Sequence, residues 1–262
     1  MRVLAIANHK GGVGKTATAH ALGTSVHARG LRVLLVDMDP QGSLTGSCGI
    51  RDAAGRSMAE VLGGATPGSL SLRDILRFLR PGLALAPSDL ALAATELGLV
   101  SRLGRESVLR KSLRTVETDF DLTIVDCPPS LGLLTVNALT AADAVLVPTQ
   151  PQAVDLRGLR LFLDTLERIR EELNPNLEVL GVLPTFVDLR LVHHREALEV
   201  LRAAGLPVLE VLVGRSVRVA EAASVGESIV TYAPDHPQSQ VFQQLGEIVI
   251  RWATGRPDDG TP

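Results

Sequence analysis

The sequence predicts an α/β protein: a single domain over residues 1–254, built on a mostly parallel twisted sheet with helices on both faces, and a polar tail over residues 255–262. Short apolar runs alternate along the chain with segments of helical pattern, the order that a parallel sheet with crossover helices requires. A glycine-rich loop lies between the first apolar run and the first helical segment, and acidic residues stand where apolar runs end. With 262 residues, 45% of them hydrophobic and 21% charged, the chain can bury one large core, and no repeat or linker divides it.

The first strand is expected over residues 3–7 and the first helix over residues 17–29, with Asn8-His9-Lys10-Gly11-Gly12-Val13-Gly14-Lys15-Thr16 between them. In that context, backbone N–H groups and the positive end of a helix dipole converge on one anion. Gly11, Gly12 and Gly14 let the chain bend around it without a Cβ in the way. Lys15 is placed to reach β- and γ-phosphates, and the Thr16 hydroxyl to take a position on Mg²⁺. The expected ligand is therefore a nucleotide with Mg²⁺. The strict phosphate-loop pattern has glycine where His9 stands, and a second lysine, Lys10, follows it. The chain holds three lysines against 23 arginines, so two lysines in one loop are poorly explained as solvated surface.

A strand over residues 32–36 leads into Asp37-Met38-Asp39-Pro40-Gln41-Gly42. Carboxylates just past a strand's carboxyl end lie where open parallel sheets bind ligands, and two residues apart on an extended chain they point the same way. Beside the glycine loop, Asp37 and Asp39 read as a pair that positions Mg²⁺ and water. Residues 43–71 read as a connection with one short helix over 58–62. Helices are expected over 72–79, 89–103 and 106–118, with a strand at Leu83–Ala86 between the first two. A fully apolar strand over 122–125 runs into Asp126-Cys127-Pro128-Pro129, and a carboxylate in that position holds Mg²⁺ directly or through water. Next come a strand over 143–149, a helix over Asp155–Glu172 with Leu156, Leu159, Leu163, Leu166 and Ile169 at core spacing, and a strand over 179–184 ended by Thr185.

Residues 190–218 carry five arginines and two histidines against three glutamates, a local charge of +2 in a chain of net −3. Charge alone leaves open a solvated helix face or a surface that meets nucleic-acid phosphates. The last helix, over 239–252, has an apolar stripe with one basic residue and is expected to be core rather than a membrane-surface helix. Cys48 and Cys127 are too few for a disulfide framework or a zinc site within one chain. No run approaches the eighteen apolar residues of a membrane span, and a cytoplasmic protein with no membrane partner is expected.

The loop resembles the deviant Walker A sequence, KGGxGKT, of the ParA/MinD ATPases, and the likeness continues from residue 3 to about residue 250. VDMDPQG resembles the family's VDxDPQG, DFDLTIVDCPPSLGLLTVNAL is similar to its second motif, and GRSVRVAEAASVGESIVTYAP to its PRNVRLxEAPSxGxPIxxYxP. The resemblance implies a phosphate-loop ATPase of the ParA/Soj partition type. Its nucleotide would be held by Lys10, Gly11, Gly12, Val13, Gly14, Lys15, Thr16 and Ala17, with Thr185 and Arg215 near the adenine. It further implies that Lys10 reaches a partner subunit's nucleotide in an ATP-dependent homodimer and that, beside Lys10 and Lys15, Asp39 is needed for hydrolysis. Thr16, Asp37 and Asp126 would serve the metal. Arg218, and more weakly Arg190 and Arg195, would contact DNA without sequence preference at the nucleoid, and a ParB-like centromere-binding protein would stimulate turnover. A MinD-like membrane-cycling or other cargo-positioning ATPase is the alternative. Ala17, Gly214 and Ala223 depart from the family pattern, the first where a hydroxyl residue often contacts the α-phosphate and the other two where proline is common.

Overall fold

The computed structural model describes residues 1–63, 70–152 and 155–255, the side chains of 155–157 excepted; the expected tail beyond Gly255 and the Leu156 side chain lie outside the described residues. In chain order the first half comprises β1 (Arg2–Ile6), α1 (Lys15–Ala28), β2 (Val33–Asp37), α2 (Ser43–Ser47), α3 (Met58–Gly63), α4 (Leu72–Ile75), β3 (Arg77–Arg80), β4 (Leu83–Ala86), α5 (Ala91–Leu99) and α6 (Val108–Arg114). The second half comprises β5 (Leu122–Asp126), α7 (Leu133–Ala141), β6 (Ala144–Thr149), α8 (Asp155–Glu172), β7 (Glu178–Val187), α9 (Val192–Ala203), β8 (Val213–Gly214), α10 (Val217–Ser224), α11 (Ile229–Tyr232) and α12 (Pro237–Thr254). The strands form one sheet in the order β3-β4-β2-β5-β1-β6-β7-β8, parallel except for β3.

Side-chain alternation explains why both faces are covered. Along β1, Val3 and Ala5 enter one core, while Leu4 and Ile6 enter the other. The same division separates Leu34 and Val36 from Val33 and Leu35 on β2, and Val145 and Val147 from Ala144 and Leu146 on β6. The first core is closed by α3, α5, α6, α7 and α8, the second by α1 and α12. The apolar stripe of the last helix belongs to this second core: Phe242, Leu245 and Val249 are fully buried, and Gly246 lies so close to Ser25 of α1 that a Cβ there would fall 2.5 Å from its hydroxyl.

Three expectations need correction. The segment expected as one helix over 72–79 is the short α4 followed by the edge strand β3, because Pro81-Gly82 turns the chain and residues 77–80 pair antiparallel with β4. The connection after Asp39 contains α2, held by contacts from Thr45 rather than by any periodicity of its own. The helix expected over 106–118 shortens to α6, preceded by a 3-10 turn at Arg105–Ser107.

Candidate active site

The parallel register brings the ends of three strands together: Ile6 of β1 lies opposite Asp126 of β5, and Asp126 opposite Asp37 of β2. The glycine loop leaves β1 at this point. Asn8 anchors its entry, donating to Pro148 O at 2.7 Å and accepting from the Lys10 amide at 3.1 Å. Gly12 and Gly14 have φ of 71° and 85°, which a side-chain-bearing residue adopts only with strain, and Gly14 is the N-cap that precedes α1. The loop's carbonyls are taken by donors around it: Gly12 O by Gln150 Nε2 at 3.0 Å, Val13 O by Thr185 Oγ1 at 2.9 Å and Lys10 O by Lys15 Nζ at 2.9 Å. What the loop offers a ligand is N–H groups and a helix N-terminus, the chemistry of an anion site.

Below the loop, Thr16 donates its hydroxyl to Asp126 Oδ2 at 2.7 Å, while Asp126 Oδ1 is buried with no partner among the described residues. Burial, reinforced by the Asp37 charge, pushes the Asp126 carboxyl well above the usual carboxylate range. Burial also lowers the Lys15 ammonium, against the opposing pull of Asp126. A buried carboxyl oxygen without a donor, next to a hydroxyl at a phosphate loop, fits Mg²⁺, whose charge would hold the group ionised. No cluster of three or more His, Cys, Asp or Glu able to hold a metal occurs among the described residues, so the protein could supply only part of a coordination shell. That is the usual arrangement where phosphate oxygens and water complete it.

Asp37 sits differently from the expectation. The chain does not stay extended after it: the Asp39 amide turns back onto Asp37 Oδ1 at 3.1 Å, and Thr45 donates its amide and hydroxyl to Oδ2 at 2.8 and 2.7 Å. Asp37 is fully buried and fastens α2 beneath the loop, whereas Asp39 is half-buried and accepts from the Gln41 amide. The two carboxylates therefore do not form a matched pair.

Beside the loop, a cavity of about 370 Å³ is bounded by α1, α2, the end of β7, β8 and α10 to α12, with Ala17, Thr185, Phe186, Ser216 and Val219 in its wall. Thr185, which the resemblance puts near the adenine, and Ala17, which it puts at the α-phosphate, both line this cavity. Arg215 does not line this cavity; its guanidinium lies 5.6 Å over the Phe186 ring and lines a neighbouring groove with Arg190 and His194. Phe186, with φ of 54°, was not singled out from sequence, because only the bulge at the end of β7 puts an aromatic residue into a left-handed conformation there.

The three arginines expected to meet DNA are exposed but not gathered in one groove. Arg190 forms a two-pronged ion pair with Asp188, at 2.9 and 2.7 Å, Arg195 donates to Leu189 O at 2.7 Å and Arg218 to Glu221 at 2.9 Å. Lys10 is half-buried at the start of the loop. Both cysteines are buried; burial raises the Cys48 thiol to about 12 and drives Cys127 further up, so neither is a nucleophile. No helix among the described residues is long and apolar enough to cross a membrane.

Comparison with known proteins agrees with this fold. Residues 1–179 match a family model described as an AAA domain. The chain is 41% identical to the chromosome partitioning protein ParA of Caulobacter vibrioides (strain NA1000 / CB15N), over 95% of this chain and 94% of that protein. It is 40% identical to the chromosome-partitioning ATPase Soj of Thermus thermophilus, over 95% of this chain and 96% of that one. A crystal structure named cobyrinic acid a,c-diamide synthase, from Mycobacterium smegmatis with a bound ATP analogue and magnesium, superposes with a TM-score of 0.85 at 38% identity, covering 98% of this chain and 97% of that chain. The eight-stranded sheet, the glycine loop over a buried aspartate and the likeness along nearly the whole chain show that this protein belongs to the ParA/Soj family of partitioning ATPases.

Proposed function

We propose that the chain hydrolyses ATP with Mg²⁺ to drive DNA segregation, and that the bound triphosphate switches it into a DNA-binding homodimer. The observation that carries the nucleotide reading is the unpartnered Asp126 Oδ1 beneath the glycine loop, beside the Thr16 hydroxyl. Residues from Gly11 to Thr16 hold the phosphates, with Ala17 beside the α-phosphate. Thr16 and Asp126 hold Mg²⁺, with Asp37 behind them keeping α2 and the Asp39 turn in place. The metal's contribution is to neutralise charge on the phosphate oxygens. Lys15 exchanges its bond to Lys10 O for the phosphates, and Asp39, at the mouth, orients the attacking water. Thr185 borders the base. Arg215 acts through Phe186 rather than by touching the base.

Lys10 extends to the nucleotide of a second subunit, so that ATP closes the dimer. Dimerisation doubles the surface that carries Arg190, Arg195 and Arg218, and binding to the nucleoid follows from phosphate contacts that ignore sequence. A ParB-like partner accelerates a turnover that is slow alone, because the long-lived DNA-bound state is the functional one. The ParA and Soj names of the relatives support this reading over membrane cycling, as does the burial of the α12 stripe against α1. The test is DNA binding by the purified protein with no nucleotide, ADP, ATP and a slowly hydrolysed analogue, at two salt concentrations. Binding only with the triphosphate, on unrelated duplexes and lost at high salt, is expected. Absence of DNA binding in every state would overturn the partition reading and leave the ATPase.

A further inference from the structure

The cavity beside the glycine loop contains a polar group that the phosphate chemistry does not use. His20 lies on α1, four residues past Thr16 and so about 6 Å further along the helix axis, and its side chain lines the cavity with only 7% of the residue exposed. Burial is the only influence that moves its pKa, down to about 4, and no hydrogen bond of its ring is found among the described residues. The imidazole is neutral at physiological pH and keeps one N–H donor and one nitrogen acceptor. The surrounding hydroxyls are mostly committed: Thr16 to Asp126, Thr185 to Val13 O and Ser47 to Leu44 O. Glu227, a carboxylate at the same wall, is exposed.

The helix face around His20 has room for a flat ring. Gly14, Ala17 and Ala21 line the cavity on either side of it, so the α1 wall carries nothing larger than a methyl group at these positions. Ala17 matters most, since a larger hydroxyl residue there would stand between the phosphate loop and His20. Phe186 supplies an aromatic face at the wall near Gly14, whose Cβ would lie 3.5 Å from the ring.

We propose that His20 is the base-reading residue of the nucleotide site: the purine lies along the small-residue face of α1, and the His20 imidazole hydrogen-bonds its polar edge. This rests on the ATP reading above. A mostly buried imidazole that lines the cavity disfavours a base that fails to pair with it, because a bound base shuts out water and leaves its nitrogen unsatisfied. The 6-amino group of adenine donates to the unprotonated ring nitrogen of His20, and a purine without a 6-substituent offers that nitrogen no donor.

The experiment is calorimetric titration of wild-type protein, His20→Val and His20→Asn with Mg²⁺ and either ATP or purine riboside triphosphate, which lacks the 6-amino group, alongside thermal melts. Wild type is expected to bind ATP about tenfold more tightly than purine riboside triphosphate. In His20→Val the ATP affinity falls about tenfold and the preference collapses, and His20→Asn restores part of it. A folded His20→Val with the wild-type ratio of the two affinities, or equal binding of the two by wild type, overturns the assignment to His20. Failure of wild type to bind any triphosphate overturns the nucleotide reading itself.

Discussion

Asp126 and Asp37 lie side by side on adjacent strands, both fully buried, and Asp126 has one oxygen that nothing among the described residues satisfies. A buried charge without a partner destabilises the fold, and the group answers by holding its proton more tightly. Because the folded pKa values are raised, to about 6 for Asp37 and well above the usual range for Asp126, the folded chain binds protons that the unfolded chain releases near pH 4. Their effect is least unfavourable at low pH, and stability is lost as pH rises through the folded values. His20, lowered to about 4, works in the opposite direction between about pH 4 and 6.5, so a single melting curve would mix the two. The difference between Asp126→Asn and wild type isolates the aspartate. Without Mg²⁺, Asp126→Asn is expected to melt above wild type by an amount that grows with pH, reaching about 1–3 kcal/mol at pH 8. Added Mg²⁺ should raise the wild-type melting temperature and leave the variant unchanged, with ATPase activity lost in the variant. Equal melting temperatures at pH 8 would show that the carboxylate is not carrying an uncompensated charge.

At the scale of elements, the glycine loop is braced from outside by α8. His9 stacks on Phe162 with ring centroids 6.4 Å apart, and it lies over Gly158, where a Cβ would fall 2.5 Å from His9 Nε2. Glycine to alanine inside a helix ordinarily stabilises by about 1 kcal/mol. Gly158→Ala is expected to do the reverse, lowering stability by about 1 kcal/mol or more through overpacking and weakening ATP binding as His9 is forced from its place. His9→Ala in the same chain should recover most of the loss, a coupling that denaturant melts of the four proteins would measure. This contact also shows what sequence can reveal. Strands β1, β5 and β6 and the helix over Asp155–Glu172 announce themselves through apolar runs and spacing, and the loop with Asp126 through the order of its residues. The parts left out are those created by distant partners. A four-residue strand such as β3 exists because β4 pairs with it, α2 because Thr45 reaches Asp37, and the Phe186 wall because of a bulge at the end of β7. Local propensity is too weak to fix segments of this length, so the sequence pattern could name Lys15 and Asp126 yet not His20 or Phe186.

For the molecule as a whole, the proposed DNA binding would have to work against the chain's own carboxylates. The net charge is −3, and two of the three arginines expected at the DNA surface already face an acidic neighbour, Arg190 with Asp188 and Arg218 with Glu221. Exposed pairs of this kind contribute little to stability, so they yield readily to phosphate. They still compete for the guanidinium, and a released carboxylate near the duplex repels it. Removing the carboxylate is therefore expected to strengthen DNA binding: Glu221→Gln should raise ATP-dependent affinity severalfold, while Arg218→Ala should lower it at every sequence. Salt dependence separates a phosphate contact from a structural effect. Three arginines on each of two subunits would neutralise about six phosphates, giving a slope of log affinity against log salt near −5, and Arg218→Ala should reduce its magnitude by about 2 per dimer. The slope should stay steep in Glu221→Gln, because the number of phosphates met is unchanged while the competitor is gone. Fluorescence anisotropy on unrelated duplexes, with ATP and with ADP, would read all of these. An unchanged slope in Arg218→Ala would move the DNA surface away from α10, towards the groove shared by Arg190 and Arg215.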